Sequence, residues 1–137
     1  MGEALIRIDD ASNKGIPSPS TVWTPPMTMW EDASVVVMLF ELAGVGRHAV
    51  EVFALSTDIV VSGFRTSPLA RTGEFSVHGS RLHTKERPFG TFRRAIAVPR
   101  GFEPACATAK LSDGVLEVRI ERHAKAQAAK GGSISVR

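Results

Sequence analysis

The sequence predicts an all-β domain, an antiparallel β-sandwich, and three observations carry that prediction. Between residues 27 and 121 the apolar residues come in short runs rich in Val, Ile and Phe, separated by turn residues. Nowhere in that span do they recur at i, i+3, i+4 and i+7 long enough to mark a helix. Asp113-Gly114, ahead of Val115-Leu116, is among the strongest short-range hairpin signals. Short strands without interleaved helices pack as two antiparallel sheets.

The elements follow in chain order. Residues 1–22 read as a flexible arm, in which a brief alternation at Leu5, Ile6 and Ile8 gives way to Pro17 and Pro19. With Pro25 and Pro26 just beyond, this stretch forbids a long helix or a central strand. The domain proper spans 23–121. Its strand-like runs are Val35–Leu42, then Val50, Val52 and Ala54 alternating with Glu51 and Phe53, then Ile59–Phe64. Thr91–Val98, a short piece around Ala107–Leu111, and Val115–Ile120 complete the set.

Two stretches do not fit a plain sandwich. Residues 65–90 carry Pro68, Gly73, Gly79, Pro88 and Gly90 around a short Phe75–Val77 piece, and so long a connection usually has a task of its own. Residues 122–137 form a flexible tail, Ala/Lys/Gly-rich until it ends Ile134-Ser135-Val136. Side chains at i and i+2 of a strand project to one face, so Ile134 and Val136 form a pair. Within Thr91–Val98, Arg94 shares its parity with Phe92, Ile96 and Val98. An unpaired buried guanidinium costs several kcal/mol, so Arg94 either pairs, with Glu86 and Glu74 as the candidates, or sits at a sheet rim and reaches out to water.

Composition sets outer bounds. At 137 residues, 43% hydrophobic and 23% charged, the chain is one ordinary globular domain with arms, neither disordered nor fibrous. The single cysteine, Cys106, excludes an intramolecular disulfide and fits a reducing compartment. The start, MGEALIRIDD, carries acids where a secretory signal carries Lys or Arg, and no apolar run approaches the ~18 residues of a spanning helix. A cytoplasmic protein without membrane contact is expected. The net charge of +3 hides an asymmetry: residues 1–80 hold five Lys/Arg and nine Asp/Glu, residues 81–137 twelve and five. A basic second half alone is weak support for a nucleic-acid partner, and none is expected.

Catalytic motifs are lacking. Gly44-Val45-Gly46-Arg47-His48-Ala49 matches a dinucleotide fingerprint, but that motif works only at the start of a helix. Here Val50-Glu51-Val52 continues with period two, so the glycines read as a tight turn. Arg87-Pro88-Phe89-Gly90-Thr91-Phe92 faintly echoes an RNA-binding strand without that fold's helices. His48, His78, His83 and His123 lack zinc-ligand spacing. No enzyme, cofactor or metal is predicted.

Read together, the pieces resemble the small heat-shock protein family and its α-crystallin domain. Glu86-Arg87-Pro88-Phe89-Gly90-Thr91-Phe92-Arg93-Arg94 is similar to the family's E-R-x-x-G-x-F-x-R stretch, and Val98-Pro99-Arg100-Gly101 to its Leu-Pro-x-Gly. Ala109-Lys110-Leu111-Ser112-Asp113-Gly114-Val115-Leu116 resembles A-x-L-x-x-G-V-L. Trp23-Thr24-Pro25-Pro26, Glu41-Leu42-Ala43-Gly44 and Val61-Ser62-Gly63-Phe64-Arg65 stand in the expected order, and Ile134-Ser135-Val136 resembles the C-terminal I-x-I/V motif. Ala43 stands where the family has Pro, and Glu121-Arg122 where it has Pro-Lys.

The resemblance implies an immunoglobulin-like sandwich and an ATP-independent holdase that captures partly unfolded proteins. It implies a dimeric building block, with Phe75 and Val77 on a strand that crosses to the partner and Glu86 and Arg94 at the same interface. It also implies that Ile134 and Val136 are knobs for a groove in a neighbouring dimer. Val50, Val52 and Ala54 line that groove on one side, and Ala107, Ala109 and Leu111 on the other, which would build a higher homo-oligomer. The alternative reading is a p23-like sandwich acting as an adaptor for specific protein partners.

Overall fold

A computed structural model of the chain describes residues 22–67, 81, 83–122 and 131–137. Nine strands run through them: β1 (Val22–Trp23), β2 (Met27–Glu31), β3 (Val35–Glu41), β4 (Val50–Ala54), β5 (Asp58–Arg65), β6 (Gly90–Ala97), β7 (Thr108–Ser112), β8 (Val115–Glu121) and β9 (Ser133–Ile134). They form two sheets, ordered β1-β6-β5-β4-β9 and β2-β3-β8-β7. Every strand pair is antiparallel except β1 with β6. This is the expected all-β sandwich.

Period-two alternation builds it. In β4, Val50, Val52 and Ala54 are buried while Glu51 and Phe53 face out, and in β8 Leu116, Val118 and Ile120 point inward. These side chains meet Val36, Met38 and Phe40 of β3, and Ile59 and Val61 of β5, in one core. β3 departs from simple alternation, since its outward-facing Val35 and Val37 are buried as well. In the register Val37 lies between Trp30 of β2 and Arg119 of β8, whose long side chains flank it on the same face. β2 is absent from the strand-like runs read in the sequence, because Met27–Glu31 has no clean alternation and most of it is exposed.

Turns fix the register. β7 and β8 pair with Ser112 opposite Val115, so Asp113-Gly114 is a two-residue hairpin loop. Its φ values of 53° and 76° are the left-handed pair of a type I′ turn, which matches the twist of the flanking strands. Between β6 and β7, Gly101 sits at φ 89° with the Arg122 guanidinium where its Cβ would stand. That guanidinium lies 4.3 Å from the centroid of the Phe102 ring, and its Nε donates to the Ala33 carbonyl at 3.0 Å. Arg122 therefore pins the 99–104 loop against the β2–β3 turn. In that turn the Asp32 carboxylate accepts from the amides of Ser34 and Val35.

Candidate binding groove and strand edges

The two sheets expose four edges, and sequence determines what lies on each. β1 covers only the start of β6: Val22 and Trp23 pair with Thr91 and Phe92, and the Trp23 indole N–H donates to the Gly90 carbonyl at 3.1 Å. Pro25 and Pro26 follow after Thr24, so the strand cannot continue and the chain turns to β2. Glu41 then donates its amide to the Pro26 carbonyl at 2.9 Å. Among the described residues the outer edge of β2 carries no strand. Met29 and Trp30 are exposed beside it, at 41% and 47%.

On the opposite side, the edges of β4 and β7 flank the tail. Ser133 and Ile134 pair antiparallel with Phe53 and Val52 of β4, and the Ala54 amide donates to the Gly132 carbonyl at 2.7 Å. Val136 bridges Ala109 of β7 in parallel. The Arg137 amide donates to the Ala109 carbonyl at 2.9 Å, and the Leu111 amide to the Arg137 carbonyl at 2.7 Å. Ile134 and Val136, both half-buried, pack against the core beside Ala107 and Leu111. The alanines leave room: an open hollow of about 380 Å³ remains between Ala105, Ala107 and Thr108 and the tail backbone. Val50 lies further along the inner face of β4, within the core. The groove occupied here belongs to the same chain, whereas the resemblance implies a neighbouring dimer.

Arg94 lies at the rim of its sheet. It lies half-buried on the parity of Phe92, and among the described residues its Nη1 donates to the backbone carbonyl of Pro25 at 2.9 Å. A neutral carbonyl suffices because the guanidinium keeps part of its hydration at the rim of the sheet. Glu86 is exposed, while Glu74, Phe75 and Val77 lie outside the described residues.

A second arginine passed unnoticed in the sequence. Arg65 shares its parity with Ile59, Val61 and Gly63, and is 6% exposed. The alternation argument that singles out Arg94 would have found it. Its Nε and Nη2 donate to the Pro88 carbonyl at 2.9 and 2.6 Å, and its Nη1 to the Ala43 carbonyl at 3.1 Å. Burial first, then the neighbouring Arg87 charge, pushes its pKa below the ordinary arginine value. The outward aromatics Phe53 and Phe64, 47% and 50% exposed, were also missed as surface features.

Among the described residues no three His, Cys, Asp or Glu side chains gather to hold a metal. No helix there is long and apolar enough to cross a membrane. The arrangement offers strand edges and an apolar groove.

The model of the Hsp20/alpha crystallin family matches residues 28–137. Small heat shock protein C4 of Rickettsia felis is 24% identical over 109 residues, 80% of this chain and 63% of that protein. Spore protein SP21 of Stigmatella aurantiaca is 26% identical over 117 residues, 85% of this chain and 63% of that protein. The chain thus spans less than two thirds of the length of either relative. Among solved structures, heat shock protein 16.0 from Schizosaccharomyces pombe superposes with a TM-score of 0.66 at 27% identity, covering 86% of this chain and 78% of that one.

Proposed function

Since this chain belongs to the Hsp20/alpha crystallin family, whose members are chaperones, we propose that it is an ATP-independent holdase for partly unfolded proteins. The observation that carries this reading is the seam between β4 and β7. It combines an apolar groove lined by Val52, Ala54 and Ala109 with two strand edges that pair with an extended segment. Partly unfolded chains expose apolar residues and unpaired strand edges, the two features such a seam takes up. Capture of this kind needs no nucleotide.

Self-association belongs to the same proposal. Among the described residues the whole length of β2 has an outer edge without a strand beside it, and that edge is the one offered to a second copy. A segment from the 65–85 region of a partner, carrying Phe75 and Val77, would pair there beside Met29 and Trp30. Glu86 and Arg94 would flank that interface. Residues 1–22 would serve as an arm on the 23–121 domain and residues 122–137 as its tail.

The deciding measurement is turbidity of a heat-labile client warmed with and without the protein, in the absence of ATP. Suppression at near-stoichiometric ratios is expected. If the folded protein leaves turbidity unchanged while one partner is retained stoichiometrically on an affinity column, the adaptor reading replaces the holdase.

A further inference from the structure

We infer that the outer face of the β4-β5-β6 sheet docks a second copy of this chain, about a two-fold axis that runs along β5. Outward side chains of a sandwich are ordinarily polar, as Glu117, Arg119 and Glu121 of β8 are. On β4 and β5 the outward positions instead include Phe53 and Phe64, each about half exposed. Two aromatic rings on one sheet face, with charges between them, have the make-up of an interaction surface.

The register sorts this face into rows. Phe53 of β4 lies opposite Val60 of β5, and Val60 opposite Ala95 of β6. In the next row Glu51 lies opposite Ser62, and Ser62 opposite Arg93. Phe64 follows on β5 with the same parity. Each row is unsymmetrical about β5: aromatic or acidic on the β4 side, small or basic on the β6 side. Glu51, Phe53, Phe64, Arg93 and Ala95 are all exposed, and among the described residues neither Glu51 nor Arg93 takes part in an ion pair.

A two-fold axis along the central strand exchanges the two sides. Glu51 then meets the partner's Arg93, Phe53 meets the partner's Ala95, and Phe64 meets the partner's Phe64 on the axis. Both copies make each contact, as an isologous interface requires. Tilting the axis by about 15° from β5 gives the ~30° crossing of aligned sheets. An axis across the strands fails, because it sets Glu51 on the partner's Glu51 and Arg93 on the partner's Arg93, or sets both charges against an apolar row. The charges therefore select one orientation and one partner. A face of three strands and three rows buries roughly 400 Å² per copy, about half the standard interface, so the association is weak and concentration-dependent. It is separate from the β2 edge and does not rest on holdase activity.

Charge reversal tests it, with one thiol on the axis to report this face alone. In a Ser62→Cys, Cys106→Ser chain at about 0.1–1 mM, a short bis-maleimide should join two copies. Glu51→Arg or Arg93→Glu, each at an exposed position, should leave the thermal midpoint nearly unchanged. Either one places like charges across the axis and is expected to cut the cross-linked fraction at least about fivefold. Mixing the two single variants sets two bases on one chain against two acids on the other. The mixture should therefore cross-link as well as the reference chain, with isotope labels showing pairs of unlike chains. Cross-linking that ignores either reversal, or that mixing does not restore, overturns the inference. So does the lack of a cross-link when the thiol reacts with a monofunctional maleimide. If the thiol instead joins only an added cysteine-bearing unfolded client, the face is a client surface and the inference fails.

Discussion

The Arg65 guanidinium lies 4.2 Å from the centroid of the Trp23 ring, stacked on it while donating to Pro88 and Ala43. Trp23 in turn meets Phe92 at 5.1 Å between centroids, so one arginine joins β1, β5 and the turn after β3. An ammonium cannot reproduce the planar fork or the stacking. Arg65→Lys is expected to cost about 1–3 kcal/mol, seen as a lower thermal midpoint by circular dichroism. A midpoint unchanged within error would show that the contact is dispensable.

Gly101→Ala carries two penalties. Its φ of 89° disfavours any side chain, and the new methyl would stand where the Arg122 guanidinium lies. We expect a loss of about 1–2 kcal/mol. Adding Arg122→Ala relieves the crowding but not the backbone cost, so a denaturant-melt double-mutant cycle should show less than additive damage. Strict additivity would mean that the two residues do not interfere.

Acid should loosen the β2–β3 turn. Hydrogen bonds from the Ser34 amide and hydroxyl and from the Val35 amide hold the Asp32 carboxyl below the usual carboxylate range. A lowered folded-state pKa gives stability that is present above the ordinary value and lost as pH falls through the lowered one. Asp32→Asn keeps an acceptor but cannot titrate. Any stability advantage of the natural protein over the variant should therefore be full above the ordinary carboxylate range and vanish in strong acid. A constant difference across a pH series of chemical melts would contradict this.

Trp30→Ser probes the free edge. Trp30 is half exposed, so the substitution should change thermal stability little. If β2 receives a second copy, the same substitution lowers the dimer fraction in multi-angle light scattering. An unchanged mass at all concentrations would move the interface elsewhere.

Ile134→Ala with Val136→Ala removes two half-buried packing groups and should lower stability by about 1–3 kcal/mol. For a domain of about 100 residues each kcal/mol moves the midpoint by about 4–8 °C. If the tail motif joins neighbouring dimers, as the family resemblance implies, the variant's mass in light scattering falls toward that of a dimer, and an unchanged mass would contradict that role.

Alternation made β4, β6 and β8 legible, because each presents one face to a core and one to water, whereas β5 was legible as an apolar run, with Ile59, Val60 and Val61 all buried. The Asp113-Gly114 turn was legible for a different reason: few residue pairs accept two consecutive left-handed conformations. β2 was not, since an edge strand with little buried surface leaves no periodic trace. The Ile134–Val136 spacing announces a pair of knobs but says nothing of which chain supplies the groove, a question of linker path and not of pattern. Arg94's acceptor escaped for a related reason: a backbone carbonyl has no side-chain signature.

Taken strand by strand, the hydrogen bonds trace an almost closed circuit. From β2 they pass through β3, β8 and β7 to the tail, then through β4, β5 and β6 to β1. The remaining gap, from β1 back to β2, is closed covalently by Thr24-Pro25-Pro26. With the tail seated, the molecule is a ring of strands whose one unladdered corner is peptide bond. Lifting the tail cuts that ring at a single point and turns it into an open ribbon with two fresh ends, β4 and β7, side by side. The last six residues thus determine the connectivity of the whole sandwich, far out of proportion to the surface they bury.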